Sequence, residues 1–253
     1  MSETPTLSSV LGLPIHLMND YPSWLRSRLQ QGIGTHVVTL NAEMTMQAEC
    51  DATLAKVIDQ AELVIPDGAG VVLYLRLQGK HIQRYPGIEL AESLLQSSQQ
   101  GEDFSVFFLG GAPGVAQSAA AKWQQQVPGL NIVGTQHGYL DSTETEKLRQ
   151  TLTQLQPQLI FVGLGVPRQE FWIAQNRFLC PQATWIGVGG SFDIWAGIKS
   201  RAPNWLAANH LEWLYRLYQE PWRWRRMLAL PKFAQKALVH RLAQQRVLGK
   251  MLP

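Results

Sequence analysis

Cysteine is scarce in this chain: Cys50 and Cys180 stand alone among 253 residues, too few for a disulfide scaffold or a zinc framework. No apolar run approaches the roughly 18 residues needed to cross a bilayer, and no charged-then-apolar leader opens the sequence. The expected setting is a reducing cytoplasm. Charge is sparse too, at 16% against 45% hydrophobic residues, a balance that fits a soluble enzyme and excludes a disordered or collagen-like chain. Two phosphate signatures are missing. There is no Walker loop of the form G-x-x-x-x-G-K-[ST], and FFLGGAPGVAQSAAAKW, beginning at Phe107, lacks the G-x-G-x-x-G spacing of a dinucleotide site. The next strand runs into TQHGYL instead of an acid that could hold a ribose, which disfavours a nicotinamide oxidoreductase.

What is present divides unevenly along the chain. The length suits one large domain or one domain with an appendage. Net charge is +3, yet the segment from Arg201 onward carries ten Lys or Arg against Glu212 and Glu220, a balance of +8 that leaves residues 1–200 at −5. Trp205, Trp213, Trp222 and Trp224 fall in the same basic segment. The expected organisation is a catalytic core over residues 1–198 and a basic, aromatic helical appendage over residues 199–253.

Within the core, short apolar runs alternate with helix-like stretches. THVVTL (35–40), ELVIP (62–66), FSVFFL (104–109), NIVGT (131–135), QLIFVG (158–163) and TWIGVG (184–189) read as strands. AEMTMQAECDATLAKVIDQ reads as one helix and STETEKLRQTLTQLQ as another, with Ser142 and Thr143 as its cap. Such alternation predicts an α/β fold, a Rossmann-like open parallel sheet with helices on both faces.

In that fold the carboxyl ends of all strands share one edge, where ligands bind. Thr39 and Asn41 follow the first of these strands, Asp67 the second, Gly110 and Gly111 the third, Gly163 and Gly165 the fifth, and Gly187, Gly189, Gly190 and Asp193 the sixth. Glycines there permit close backbone approach and helix amino ends beyond them attract phosphate, although glycine also ends strands for packing alone. Asp67 has two readings on these residues. It caps a helix opening near Gly70, or it is a carboxylate held at a strand end as a base.

Five stretches in order, TLNAEM, PDGAGVV, GLGVPRQEFWI, GVGGSFDIWAG and RAPNWLAANHLEWLYRLYQEPWRWRR, resemble the WecG/TagA/CpsF family of bacterial glycosyltransferases, over about residues 10–230. The resemblance implies transfer of N-acetylmannosamine or a related N-acetylaminosugar from a UDP-sugar donor to a polyprenyl-diphosphate-linked saccharide, with inversion at the anomeric centre, for bacterial cell-surface polysaccharide. It makes Asp67 the base and places Thr39, Asn41 and Gln169 beside it, with Arg84 nearby. Pro167 starts the helix that carries Gln169, and Glu170 is left to complement that helix's dipole. Metal-dependent transferases of another fold present Asp-x-Asp to a divalent ion, and this chain has no such triplet. A metal-free reaction with no cofactor is implied, and arginines must then neutralise the diphosphate. By the same resemblance Arg216, Arg223 and Arg226 complete the site from the appendage.

The appendage reads as helices. Pro203 opens one that ends before Pro221, and Pro231 opens another running toward Gly249, with Leu230, Phe233, Ala234, Ala237, Leu238 and Leu242 on one arc. Tryptophans interleaved with cations predict docking on the inner face of the plasma membrane. Nucleic acid binding is disfavoured, because no recognition motif accompanies the charge. Truncation after Ser200 is expected to leave a folded core without transfer activity. Homo-oligomers are compatible with the resemblance, although no heptad repeat marks an interface. A noncatalytic nucleotide-sugar sensor on the membrane is the rival from another class, and Asp67 argues against it, since a pure binder needs no carboxylate at a reacting centre.

Overall fold

The computed structural model describes residues 4–80, 82, 84–97, 104–203, 205–206, 209 and 211–251, with side chains to 241. A hairpin of β1 (Thr6–Val10) and β2 (Leu13–Leu17) leads into α1 (Tyr21–Gln30). Six parallel strands follow: β3 (Thr35–Leu40), β4 (Leu63–Pro66), β5 (Val106–Gly110), β6 (Ile132–Gln136), β7 (Leu159–Gly163) and β8 (Thr184–Gly187), in the sheet order β4-β3-β8-β7-β5-β6. Helices α2 (Ala42–Cys50) and α3 (Ala52–Asp59) follow β3, and α4 (Ala69–Leu77) and α5 (Gly87–Ser97) follow β4. Each later strand is followed by one: α6 (Val115–Gln126), α7 (Ser142–Leu155), α8 (Arg168–Asn176) and α9 (Ser191–Trp195). The chain then becomes helical, with α10 (Glu212–Gln219), α11 (Trp224–Met227) and α12 (Ala229–Met251).

The strands read as continuous apolar runs because both sheet faces are covered. Val37, Leu63, Ile65, Phe108, Phe161 and Ile186 point into a cluster with α1, α5, α6 and α9. Their neighbours one residue along point the other way, as a period of two requires. Val38, Leu40 and Val64 meet α2, α3, α4 and the hairpin, while Phe107, Ile160, Val162 and Trp185 meet α7 and α8. The α/β reading and the six strands are therefore as expected, with boundaries shifted by no more than two residues.

Four local expectations change. The helix expected over 42–60 breaks at Asp51, which is extended (φ −131°, ψ 95°) and whose carboxylate accepts the N–H groups of Thr53 and Leu54, so it caps α3. The cap of α7 is Asp141, in a reciprocal capping box with Glu144, and not Ser142 or Thr143. The hairpin, absent from the strand reading, turns through Leu11 (φ 49°) and Gly12 (φ 90°), and His16 Nδ1 accepts the Val64 N–H at 3.0 Å, covering the edge of β4. Burial lowers the His16 pKa, which keeps that acceptor neutral.

The fourth change concerns the carboxyl end. Pro231 lies inside the first turn of α12, where its missing N–H costs nothing. Phe233 and Ala237 of that helix are buried in the cluster formed with α2 and α4, the Phe233 ring lying edge-on to Tyr74 at 6.1 Å. Leu238 of the expected arc is exposed, and the Leu242 side chain lies outside the described residues. Cutting at Ser200 removes Phe233 and Ala237 from a core cluster, so the truncated core, expected from sequence to fold without transfer activity, should also lose stability. Phe233→Ala is expected to cost about 3–5 kcal/mol of stability, read from a urea midpoint.

Candidate active site

Parallel register explains how the site is assembled. Leu40 pairs with Pro66 across β3 and β4, so the next residues, Asn41 and Asp67, emerge side by side from the carboxyl edge. The Asp67 N–H donates to Leu40 O at 2.9 Å, extending the ladder by one bond. Strand β8 pairs with β3 on the other side, bringing Gly187, Gly189 and Gly190 to the same edge, and Thr39 Oγ1 reaches Gly187 O at 3.4 Å. Together with Gly165 and Gln169 these residues line a cleft of about 210 Å3.

Asp67 does not cap α4. That helix begins behind Gly68 and receives no side-chain cap. The carboxylate instead accepts the backbone N–H of Gly87, the first residue of α5, from a half-buried position on the cleft floor. Burial raises its pKa, and the charges of Arg216 and then Arg84 work against that rise, while Glu212 adds to it. A carboxyl group held at the amino end of a helix, beside cations yet poorly hydrated, is a base with an elevated proton affinity.

Other expected residues divide by what they touch. Asn41 Oδ1 accepts the Met44 N–H at 2.9 Å and so caps α2; it also lines the cleft. Thr39 is buried, with its methyl group against Gly87. Gln169 is buried with its amide engaged by Gly189 and Glu170. Glu170, expected only to complement the dipole, is fully buried and 2.8 Å from His36 Nε2. Pro167 occupies the N-cap position of α8 without a side-chain capping bond and does not itself line the cleft. Arg84 does not line the cleft; it pairs with Glu212 at 3.0 Å, and its charge reaches Asp67. Asp193 does not line the cleft either and holds Lys199 at 2.6 Å.

Gly110, Gly111 and Gly163 are not brought to the cleft. Packing accounts for them: a Cβ on Gly110 would overlap the Gly163 backbone, and one on Gly163 would meet Gly189 O and the Phe192 ring at 2.7 Å. Close passage between strand ends thus requires glycine at 110 and 163 without reference to a ligand.

The opposite wall is cationic. Arg216, Arg223 and Arg226 line the cleft from the appendage, and they are joined by Lys199 and Arg201, which the motif reading did not assign. The only signal for those two was a pair of cations between Gly197 and Pro203. Acids hold most of this wall in place. Glu220 pairs with both Lys199 and Arg223 at 2.8 Å, Glu43 with Arg226, and Glu89 with Arg201. Burial opposes the charge on Lys199, but its bonds to Asp193 and Glu220 outweigh that and raise its pKa. Arg223 Nε is buried without a partner among the described residues, a donor that an anion in the cleft can satisfy. No cluster of three His, Cys, Asp or Glu able to hold a metal occurs among the described residues.

The arrangement joins a base to a wall for negative charge, the two requirements of displacing an anionic leaving group by a hydroxyl. Sequence comparison agrees with this chemistry. The profile of the Glycosyl transferase WecG/TagA/CpsF family matches residues 8–247. A Bacillus spizizenii protein described as N-acetylglucosaminyldiphosphoundecaprenol N-acetyl-beta-D-mannosaminyltransferase is 38% identical over 216 residues, 85% of this chain and 83% of that protein. A Bacillus subtilis (strain 168) protein of the same description is 35% identical over 211 residues, 83% of this chain and 81% of that protein.

Proposed function

Since the chain belongs to the WecG/TagA/CpsF family of glycosyltransferases, we propose that it transfers N-acetylmannosamine from a UDP-sugar to an N-acetylglucosaminyl-diphospho-polyprenol. Asp67 takes the proton of the acceptor hydroxyl as its oxygen bonds to the anomeric carbon. The bond from that carbon to the donor diphosphate breaks on the opposite side, which inverts the centre, and UDP leaves with the electron pair. Arg216, Arg223 and Arg226 balance the charge that grows on the departing diphosphate. Thr39, Asn41 and Gln169, with the backbone at Gly165, Gly189 and Gly190, hold the sugar and acceptor in line. The observation that carries this reading is the carboxylate of Asp67, elevated in proton affinity, facing a cationic wall across one cleft.

Residues 1–198 carry the base and the strand-end backbone in this reading, and residues 199–253 supply the diphosphate wall and the membrane contact. No helix among the described residues is long and apolar enough to cross a membrane. The appendage instead exposes Trp205, Tyr218, Trp222 and Trp224 next to its cations, a composition suited to the headgroup layer of an anionic leaflet. This composition supports a position on the inner face, beside the lipid-linked acceptor.

The test is a panel of UDP-sugars with a polyprenyl-diphosphate N-acetylglucosamine acceptor, with products identified by mass. Transfer from UDP-N-acetylmannosamine is expected, at a rate unchanged by EDTA. A rate abolished by the chelator would overturn the metal-free step, and absence of any disaccharide product would overturn the reading.

A further inference from the structure

A buried polar relay runs behind the cleft wall, and the transfer steps above use only its Gln169 end. His36, in β3, and Glu170, in the first turn of α8, are both buried, with His36 Nε2 2.8 Å from Glu170 Oε2. The other carboxylate oxygen of Glu170 accepts from Gln169 Nε2 at 2.9 Å. Gln169 Oε1 in turn accepts the Gly189 N–H at 3.0 Å. Strand, helix and cleft turn are thus linked through three side chains. Gly187 makes room for them, since a Cβ there would overlap both Gln169 Nε2 and Glu170 Oε1.

Packing alone does not explain this choice of residues. A carboxyl group removed from water is costly, and aliphatic side chains of similar volume fill such a space at least as well. The relay does supply direction. Whichever of His36 and Glu170 holds their shared proton, Glu170 Oε1 faces Gln169 as an acceptor. The NH2 end of the Gln169 amide must therefore point to Glu170, and its oxygen to Gly189. With no acceptor at position 170, the amide is free to turn over, and its NH2 then opposes the Gly189 N–H, donor against donor.

We propose that Glu170 and His36 are positioning residues: they lock the Gln169 amide in one orientation, which fixes the Gly189 turn in the cleft wall and leaves one Gln169 N–H for the substrate. The inference rests on the reading of this cleft as the transfer site. It adds a supporting layer to residues that touch the sugar, the kind of layer on which placement to a fraction of an ångström depends.

A double-mutant cycle in the full-length protein tests it. Glu170→Leu, which leaves no acceptor at this position, is expected to lower kcat/KM about 10- to 100-fold, the scale of one buried bond to a charged group. In a Gln169→Ala background the same change is expected to add less than about twofold, because Glu170 acts through Gln169. His36→Gln, which keeps a donor toward Glu170, retains most of the activity, whereas His36→Leu falls as Glu170→Leu does. Exchange of the Gly189 amide hydrogen, read by NMR without substrate, is expected to accelerate about tenfold or more in Glu170→Leu as that hydrogen bond is lost.

Unchanged Gly189 exchange, or an equal loss of kcat/KM with and without Gln169, would overturn the proposal. Should Glu170→Leu fail to fold, the His36 pair decides, and equal rates for His36→Gln and His36→Leu reject it. Failure of the transfer reading looks different: Gln169→Ala then keeps the parental rate, or the parental protein forms no product, while the exchange measurement still reports on the relay.

Discussion

Asn in place of Asp67 is expected to cut kcat by about 10²- to 10⁴-fold, or about 3–5 kcal/mol of barrier, with UDP affinity unchanged. The side chain keeps its shape and loses only the ability to take a proton. The pH profile supplies a second signature. Burial raises the proton affinity of Asp67, so the parental rate should fall, as pH drops, through a midpoint above the ordinary carboxylate range, and the variant should lack that limb. Stability moves the other way. A carboxyl whose folded pKa is raised binds its proton more tightly in the folded than in the unfolded chain, so unfolding free energy declines as pH rises between the two values. Above both, the ionised group is a standing cost that Asn removes. Asp67→Asn should therefore melt higher than the parent at neutral pH while being nearly inactive, a trade of stability for function seen where a site holds an unfavourable charge. Parental turnover in this variant, measured with the lipid-linked acceptor, would end the general-base assignment.

Much of this site could be read from sequence because it is built from strand ends. In a parallel sheet the residue after each strand falls on one edge, so Thr39, Asn41, Asp67, Gly165 and the Gly189–Gly190 turn meet in the cleft as the alternation of strands and helices implied. The strands were legible for the same reason that they are stable: with helices on both faces most of their positions are apolar. The hairpin was not, because its turn puts Leu11 in the left-handed region, a place where glycine or asparagine is the usual signal. Asp51 carried a cap signal that an apolar periodicity spanning 42–60 masked.

Strand-end logic does not separate ligand contact from packing. Gly110 and Gly163 obey it in sequence, yet they face each other across β5 and β7 where backbones pass too closely for any Cβ. Glu170 is the reverse case. Its partner, His36, is 134 residues away, and no spacing rule connects the amino half of a strand to the first turn of a distant helix. The same holds for the acids of the cationic wall. Glu43 and Glu220 meet Arg226 and Lys199 through tertiary packing, and only the motif likeness drew attention to the arginines.

Arg216 ties the two halves of the cleft together, and its replacement is the second change with a large expected effect. It lines the cleft, no ion pair holds it among the described residues, and it is the foremost charge lowering the proton affinity of Asp67. Arg216→Gln should lower kcat by about 10²- to 10³-fold, the scale of losing one donor to a developing anion. It should also move the acidic limb of the pH profile upward, since Arg84 remains as a counter-charge but is shared with Glu212. The two effects have separate origins, and lysine separates them. Arg216→Lys keeps the charge near Asp67, so its limb should stay close to the parental position, yet it loses the planar fork that grips two phosphate oxygens and should remain slow. Because Arg216 is exposed, added salt should shrink the limb shift. A limb that moves equally in both variants would show that geometry, not charge, couples Arg216 to the base, and the cationic wall would then act on the diphosphate alone.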